Sequence, residues 1–260
     1  MTTISRNLKD EVHELSFLMA KNNIHTNIIF AAVNGLIEGW DMYHIKKSTP
    51  KIYCLWTGTN EMSDNRKRCL EQITRISECE VILITPNNLP QYILESEPLH
   101  PGFCSLSETH KADYLRTYLM HFHGGGYTDI KETTGSWQQC FRDLANSDAY
   151  CCGYKEVEGG TASTVPRESW VDLIGNCSYI FKPRTAFTTE WYKKMMEKMD
   201  EKLEALCGHP STYPQDCEEA GTGYPLRWTE LLGNIFHKVC YDHKDKLLRT
   251  LPQNVFHDYR

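Results

Sequence analysis

Two short apolar runs with an amphipathic stretch between them constrain this chain most. Residues 51–57 (KIYCLWT) and 80–85 (EVILIT) are strand-length and rich in β-branched and aromatic residues, so both are expected to be buried strands. Pro86 stops the second. Between them Ser63 is a candidate N-cap for a helix in which Cys69, Ile73 and Ile76 share a face. Strand, helix, strand in that order predicts a parallel pair joined by a right-handed crossover. The alternation continues. Ser107 caps a second helix with Ala112, Leu115, Leu119 and Phe122 on one side, ended by Gly124, Gly125 and Gly126. An extended segment is expected over 127–131 and short strands over 149–154 and 178–182. Helices are expected over 187–206, on the stripe Trp191, Met195, Met199, Leu203 and Leu206, and over 228–239. Residues 89–103 and 207–225 read as irregular. The fold class is α/β, a mixed sheet flanked by helices.

Residues 1–49 also have helical spacing, with Val12, Leu15, Leu18 and Met19 on one side and then Ile28, Ile29, Ala32 and Leu36. Pro50 closes that stretch, which divides the chain into a helical amino-terminal extension (1–49) packed on one catalytic domain (50–260). The net charge is -6, from 28 Lys and Arg against 34 Asp and Glu, and no long basic run occurs. That balance argues against nucleic acid as a partner, where cations must displace counterions. The longest apolar run, residues 28–33, is too short to span a bilayer, so no transmembrane segment is expected. Arg6, Lys9, Asp10 and Glu11 interrupt the first apolar positions, unlike a secretory signal. Eleven cysteines with no C-x-x-C spacing then read as reduced, buried thiols of a soluble cytoplasmic protein.

The chain has no G-x-x-x-x-G-K-[ST] phosphate loop, no H-E-x-x-H and no G-x-S-x-G; its glycine triplet does not complete G-x-G-x-x-G, because position 129 is Asp. The chemistry concentrates instead in residues 110–132, HKADYLRTYLMHFHGGGYTDIKE. Asp113 and Arg116 fall one helical turn apart on the same face, where an intrahelical salt bridge is the simplest reading. The three glycines permit a sharp turn and leave room for a ligand to approach the main chain. They put Asp129 at or near the start of a strand, within reach of the strand ends where α/β folds bind ligands.

In the order PKIYCLWTG, ADYLR and HGGGYTDIK, the chain resembles the DXD-containing sugar-transferring region of GT-A glycosyltransferases. That group includes α-mannosyl- and α-galactosyltransferases, capsular polysaccharide synthesis proteins and the catalytic cores of clostridial glucosylating toxins. The likeness covers roughly residues 50–132 and continues more loosely through IGNCSYIFKPRTAFTTEWY. It implies a GT-A fold and transfer, mostly retaining, of a sugar from a UDP- or GDP-linked donor to a hydroxyl of a glycan acceptor. It implies that Leu55, Trp56 and Thr57 flank the nucleotide base, that Asp113 and Arg116 hold donor hydroxyls, and that Asp129 contacts ribose, sugar or metal. Gly125, Gly126, Tyr127 and Asn176 complete the implied donor site. An indole face suits a base, and a guanidinium fork suits phosphate.

The chain departs from that pattern where the second Asp of D-x-D is Lys131. That carboxylate ordinarily binds Mn²⁺ or Mg²⁺, and an ammonium cannot. Three readings stay open. Lys131 takes the cation's place beside the leaving diphosphate; Asp129 binds a metal with help from Glu132, His257 or Asp258; or the protein is a catalytically silent binder of nucleotide sugars. If a base is needed, Asp172 or an acid of the 216–219 loop is the candidate. His121 and His123, near the end of the second helix, read as packing or C-capping groups.

Overall fold

The computed structural model describes residues 49–156 and 164–259. The helical extension expected over residues 1–49 lies, apart from Thr49, outside the described residues. Strand β1 (Lys51–Leu55) is paired in parallel with β2 (Glu80–Ile84), from Lys51 opposite Glu80 to Leu55 opposite Ile84. On its other side β1 pairs in parallel with β3 (Gly125–Thr128). Antiparallel β5 (Ile174–Phe181) follows, then antiparallel β4 (Cys151–Lys155), and β6 (Leu247–Leu248) closes the sheet parallel to β4. The strand order is β2-β1-β3-β5-β4-β6, a mixed six-stranded sheet.

Helix α1 (Asp64–Ile76) links β1 to β2, and α2 (Glu108–Phe122) returns the chain to β3. Ser63 and Ser107 cap them as expected, each accepting the backbone N–H three residues on. Period-two alternation in β1 sends Cys54 toward Cys69 and Ile73 of α1, and Tyr53 and Leu55 toward Leu115 and Leu119 of α2. The two helices therefore cover opposite faces. β1 is the strand from which the connections diverge, and its carboxyl end is where a crevice opens.

α2 is buried nearly all round: Leu115 and Leu119 join the core as the apolar stripe requires, but Asp113, Arg116 and Thr117 are buried too. Beyond it the core is aromatic. Tyr179 and Phe181 of β5 pack edge or face onto Trp191 of α4 (Ala186–Gly208) and Phe236 of α5 (Gly233–Asp242). The opposite face is filled by Trp137 with Cys140 and Leu144 of α3 (Gln138–Ala145), a helix not anticipated from the sequence. All eleven cysteines are free, and most pack as small hydrophobes. Among the described residues no helix is long and apolar enough to cross a membrane.

Several boundaries differ from expectation. β5 starts at Ile174, before the strand expected over 178–182, and runs through Gly175, over which Tyr154 of β4 lies: a Cβ there would sit 2.0 Å from its ring. The strand expected over 127–131 instead starts at Gly125 and stops at Thr128, so Asp129 follows a strand rather than beginning one. The last helix begins at Gly233, and residues 89–105 contain two 3-10 turns, Leu89–Tyr92 and Pro101–Ser105.

Candidate active site

Asp129 leaves β3 at the carboxyl end of the parallel half-sheet, and two cations clamp it. Lys131 Nζ donates to Oδ2 at 2.7 Å, and Arg116 Nη2 of α2 stands 3.3 Å from Oδ1. Tyr127 Oη donates to Oδ1 at 2.9 Å, and the Arg116 guanidinium lies 4.6 Å above the Tyr127 ring. Arg116 is shared: Nη2 also meets Asp113 Oδ1 at 3.2 Å, and Nη1 donates to the Asn176 carbonyl at 3.0 Å. The salt bridge expected between Asp113 and Arg116 is thus one link of a chain Asp113, Arg116, Asp129, Lys131 in which the charges alternate.

Burial works against ionising Asp129, but the charges of Lys131 and Arg116 and the bonds from Lys131 and Tyr127 outweigh it, holding the carboxyl well below the usual range. Lys131 is the mirror image: burial would lower it, and the Asp129 charge raises it further. Its Nζ also lies 3.3 Å from Cys177 Sγ. Burial and the Asp129 charge push that thiol up to about 11, so Lys131 meets a neutral group there. Asp113 shifts upward because burial exceeds the help from Arg116.

This cluster forms the floor of a cleft of about 670 Å³ at the carboxyl ends of β1 and β3. Leu55, Trp56, Thr57, Arg116, Tyr127, Asp129 and Lys131 line it. Trp56 packs against the cluster of Cys54, Cys69, Ile73 and Ile130, and its Nε1 donates to the Asn60 carbonyl at 2.8 Å. It is at once a core and a cleft residue. Asp113 stands behind Arg116 rather than in the cleft, and Asn176 offers Arg116 its carbonyl.

Gly125 and Gly126 lie at the other end of β3. The space beside Gly126 is taken by Ile52 and Trp137, each 3.0 Å from where a Cβ would stand, and the Lys51 carbonyl crowds Gly125 at 3.2 Å. Protein, not ligand, fills the room they leave. Asp172 ends the 3-10 turn Arg167–Asp172, gives its carbonyl to Arg249 and does not line the cleft. Asp216 is fully buried, accepting from Thr212 and Thr222, so it staples its loop and offers no carboxylate to an acceptor. His121 stacks on Tyr192 with ring centroids 5.0 Å apart, and His123 Nε2 bonds the Tyr92 carbonyl at 2.7 Å.

Two cleft residues escape sequence reasoning. Arg66, in the first turn of α1, donates Nη1 to the Ile130 carbonyl at 2.6 Å and lies 4.8 Å over the Tyr259 ring. Among the described residues no carboxylate pairs with it, in contrast to Arg116 and Lys131. Glu108, in the first turn of α2, is the one cleft-lining carboxylate besides Asp129 among the described residues. Only Ser63 and Ser107, three and one residues earlier, hint that these side chains sit at helix starts.

The residues present do not suit a hard divalent cation, which needs several anionic oxygens. Both oxygens of Asp129 are engaged by cations or hydroxyl. His257 is 79% exposed and pairs with its neighbour Asp258, and Glu132 faces Arg68. Among the described residues no group of three or more His, Cys, Asp or Glu converges as a ligand set.

Fold and cleft together define an α/β protein with a cleft at the switch of its sheet, furnished with an aromatic wall and three cations. The chain belongs to the capsular polysaccharide synthesis protein family, whose model matches residues 6–200. Among solved structures it is similar to one described as PaToxG Glycosyltransferase, at 10% identity and a TM-score of 0.43, over 75% of this chain and 69% of that one. No curated protein matches it.

Proposed function

We propose that the protein is a GT-A-type glycosyltransferase that takes a sugar from a UDP- or GDP-linked donor and places it on a hydroxyl of a glycan. The observation that carries this reading is the cation cluster of Arg66, Arg116 and Lys131 at the carboxyl ends of β1 and β3, opposite Trp56. A nucleoside diphosphate needs an aromatic face for its base and fixed positive charge for its phosphates, and the cleft offers both. Family membership supports polysaccharide synthesis as the setting.

In this reading Lys131 stands where other enzymes of the type use a metal. The bond from the anomeric carbon to the diphosphate oxygen breaks, and negative charge grows on that oxygen. Lys131 and Arg116, fixed in place by Asp129, meet that charge without reorganising. Arg66 adds a third cation to the cleft. A bond then forms from the acceptor oxygen to the anomeric carbon. In a retaining reaction the departing phosphate takes the acceptor proton; in an inverting one the base assigned is Glu108, a cleft-lining carboxylate paired with Lys111. The self-cancelling charge of Asp113, Arg116, Asp129 and Lys131 also favours a second reading, a binder of nucleotide sugars that does not turn them over. Donor consumption separates the two.

The test is calorimetric titration of UDP and GDP with Mn²⁺ and with EDTA. One of them binds equally under both conditions, and Lys131→Ala and Arg66→Ala each weaken it by about tenfold or more, the scale of one charge-assisted hydrogen bond. Binding abolished by EDTA would return the diphosphate to a metal. No binding of either would remove the nucleotide.

A further inference from the structure

The cleft has a second end that the donor does not need. Tyr213 and Trp228 line it, and they are two of only four large apolar side chains exposed among the described residues, at 42% and 43%. Tyr and Trp, apolar rings with one polar handle, are enriched at binding interfaces. Both hang from the first turn of α2. Thr109 N donates to the Pro214 carbonyl, next to Tyr213, at 3.1 Å, and His110 Nε2 meets the Arg227 carbonyl, next to Trp228, at 3.1 Å. A further anchor is the Trp228 N–H, which donates to Glu219 at 3.1 Å. Backbone so tied presents the rings at fixed positions.

Arg116 lies about two turns, or about 12 Å, further along the same helix. The cations, Trp56 and Tyr259 therefore gather toward α1 and β3, while Tyr213 and Trp228 sit at the start of α2, with Glu108 on the wall between. A single ring cannot touch both ends.

We infer that Tyr213 and Trp228 form the acceptor subsite, a platform on which a sugar ring of the glycan stacks while Glu108 accepts from one of its hydroxyls. The inference rests on the transferase reading for the identity of the other end. A pyranose offers an apolar face of C–H groups that an aromatic face covers, with its hydroxyls left at the rim for a carboxylate. The cations near this end are already paired, Lys111 with Glu108 at 2.8 Å and Arg227 with Glu218 at 2.7 Å, which disfavours phosphate there.

The test uses the full chain, labelled and applied with UDP or GDP to an array of immobilised oligosaccharides ending in hexoses, N-acetylhexosamines, deoxyhexoses and uronic acids. Wild type is expected to label a subset of these glycans. Tyr213→Ala with Trp228→Ala lowers that signal by about tenfold or more, while Tyr213→Phe with Trp228→Phe, which keeps two aromatic faces, restores most of it. Nucleotide affinity, measured separately by calorimetry, stays within about twofold in the alanine double variant, well under the tenfold of 1.4 kcal/mol. Glycan signal unchanged in that variant overturns the subsite, as does no glycan signal from wild type. Loss of nucleotide affinity instead would put the base on the platform and also overturn it. Failure of wild type to bind any nucleotide, with aromatic-dependent glycan labelling intact, would sink the transferase reading and leave the glycan platform standing.

Discussion

At the scale of single residues the site is an electrostatic knot whose members hold each other in place. Asp129 is depressed below the ordinary carboxylate range, so its ionised form favours the folded state at any pH above the unfolded value near about 4. That contribution falls away only as pH drops below about 4 toward the folded pKa. Replacing Asp129 by Asn leaves Lys131 and Arg116 facing an uncharged amide in a largely buried site, which costs about 3 kcal/mol. The expected outcome in urea titrations is a difference between wild type and Asp129→Asn that is constant from about pH 8 to 5 and shrinks below about pH 4. A difference that grows on acidification would show that Asp129 is not held by these cations. Asp113, Arg116, Asp129 and Lys131 were legible in the sequence because all four fall within one helix, one turn and one strand end. Arg66 and Glu108 were not, since they reach the cleft only when α1 and α2 close on opposite faces of β1. Asp172 failed for the converse reason: it is near the site in sequence pattern, yet its turn faces Arg249.

Secondary-structure elements were read well where one strong period or cap dominated. The two strands flanking α1, the caps Ser63 and Ser107, and the long stripe of α4 all emerged from local chemistry. α3 did not: it is short, has no side-chain cap, and buries only Cys140 and Leu144. The glycine triplet was seen, but its purpose is architectural. Gly124 has φ +63, and a Cβ on it would lie 2.6 Å from Pro183 Cδ and 2.9 Å from the Phe181 carbonyl. The left-handed turn that ends α2 and aims β3 thus admits no side chain. Gly124→Ala is expected to cost more than about 2 kcal/mol, from about 1–2 for the left-handed backbone plus the clash. Thermal melting measures it; a melting temperature equal to that of wild type would mean the turn can rearrange.

Across the whole molecule, the last residues finish what the first strands begin. β1, β2 and β3 open the crevice, but the chain returns to it only after β6. Asn254 lies buried there, accepting from Ser178 Oγ at 2.6 Å and donating to Thr128 Oγ1 at 3.0 Å, while Val255 N donates to the Glu132 carbonyl at 2.8 Å. These bonds stitch the terminal segment across β5 and β3, directly behind Asp129. From that anchor Tyr259 reaches over the cleft, its ring 5.0 Å from Lys131 Nζ and 4.8 Å from the Arg66 guanidinium. No sequence pattern fixes these partners, because Ser178 and Thr128 lie 76 and 126 residues from Asn254 and the terminal segment has neither helical nor strand periodicity. Anchor and cover should separate under mutation. Asn254→Ala strands the buried Ser178 hydroxyl and takes a donor from Thr128, whose hydroxyl keeps its bond to the Asp129 carbonyl; it is expected to lower stability by about 1–3 kcal/mol, with nucleotide affinity falling alongside as the segment loosens. Tyr259→Ala removes the cover together with the ring's packing on the cluster of Cys69 and Ile73. Stability should then fall by about 1 kcal/mol, while nucleotide affinity falls several-fold as Lys131 and Arg66 become more hydrated. If Tyr259→Ala binds nucleotide as wild type does, the terminal segment serves the sheet alone and the cations need no cover.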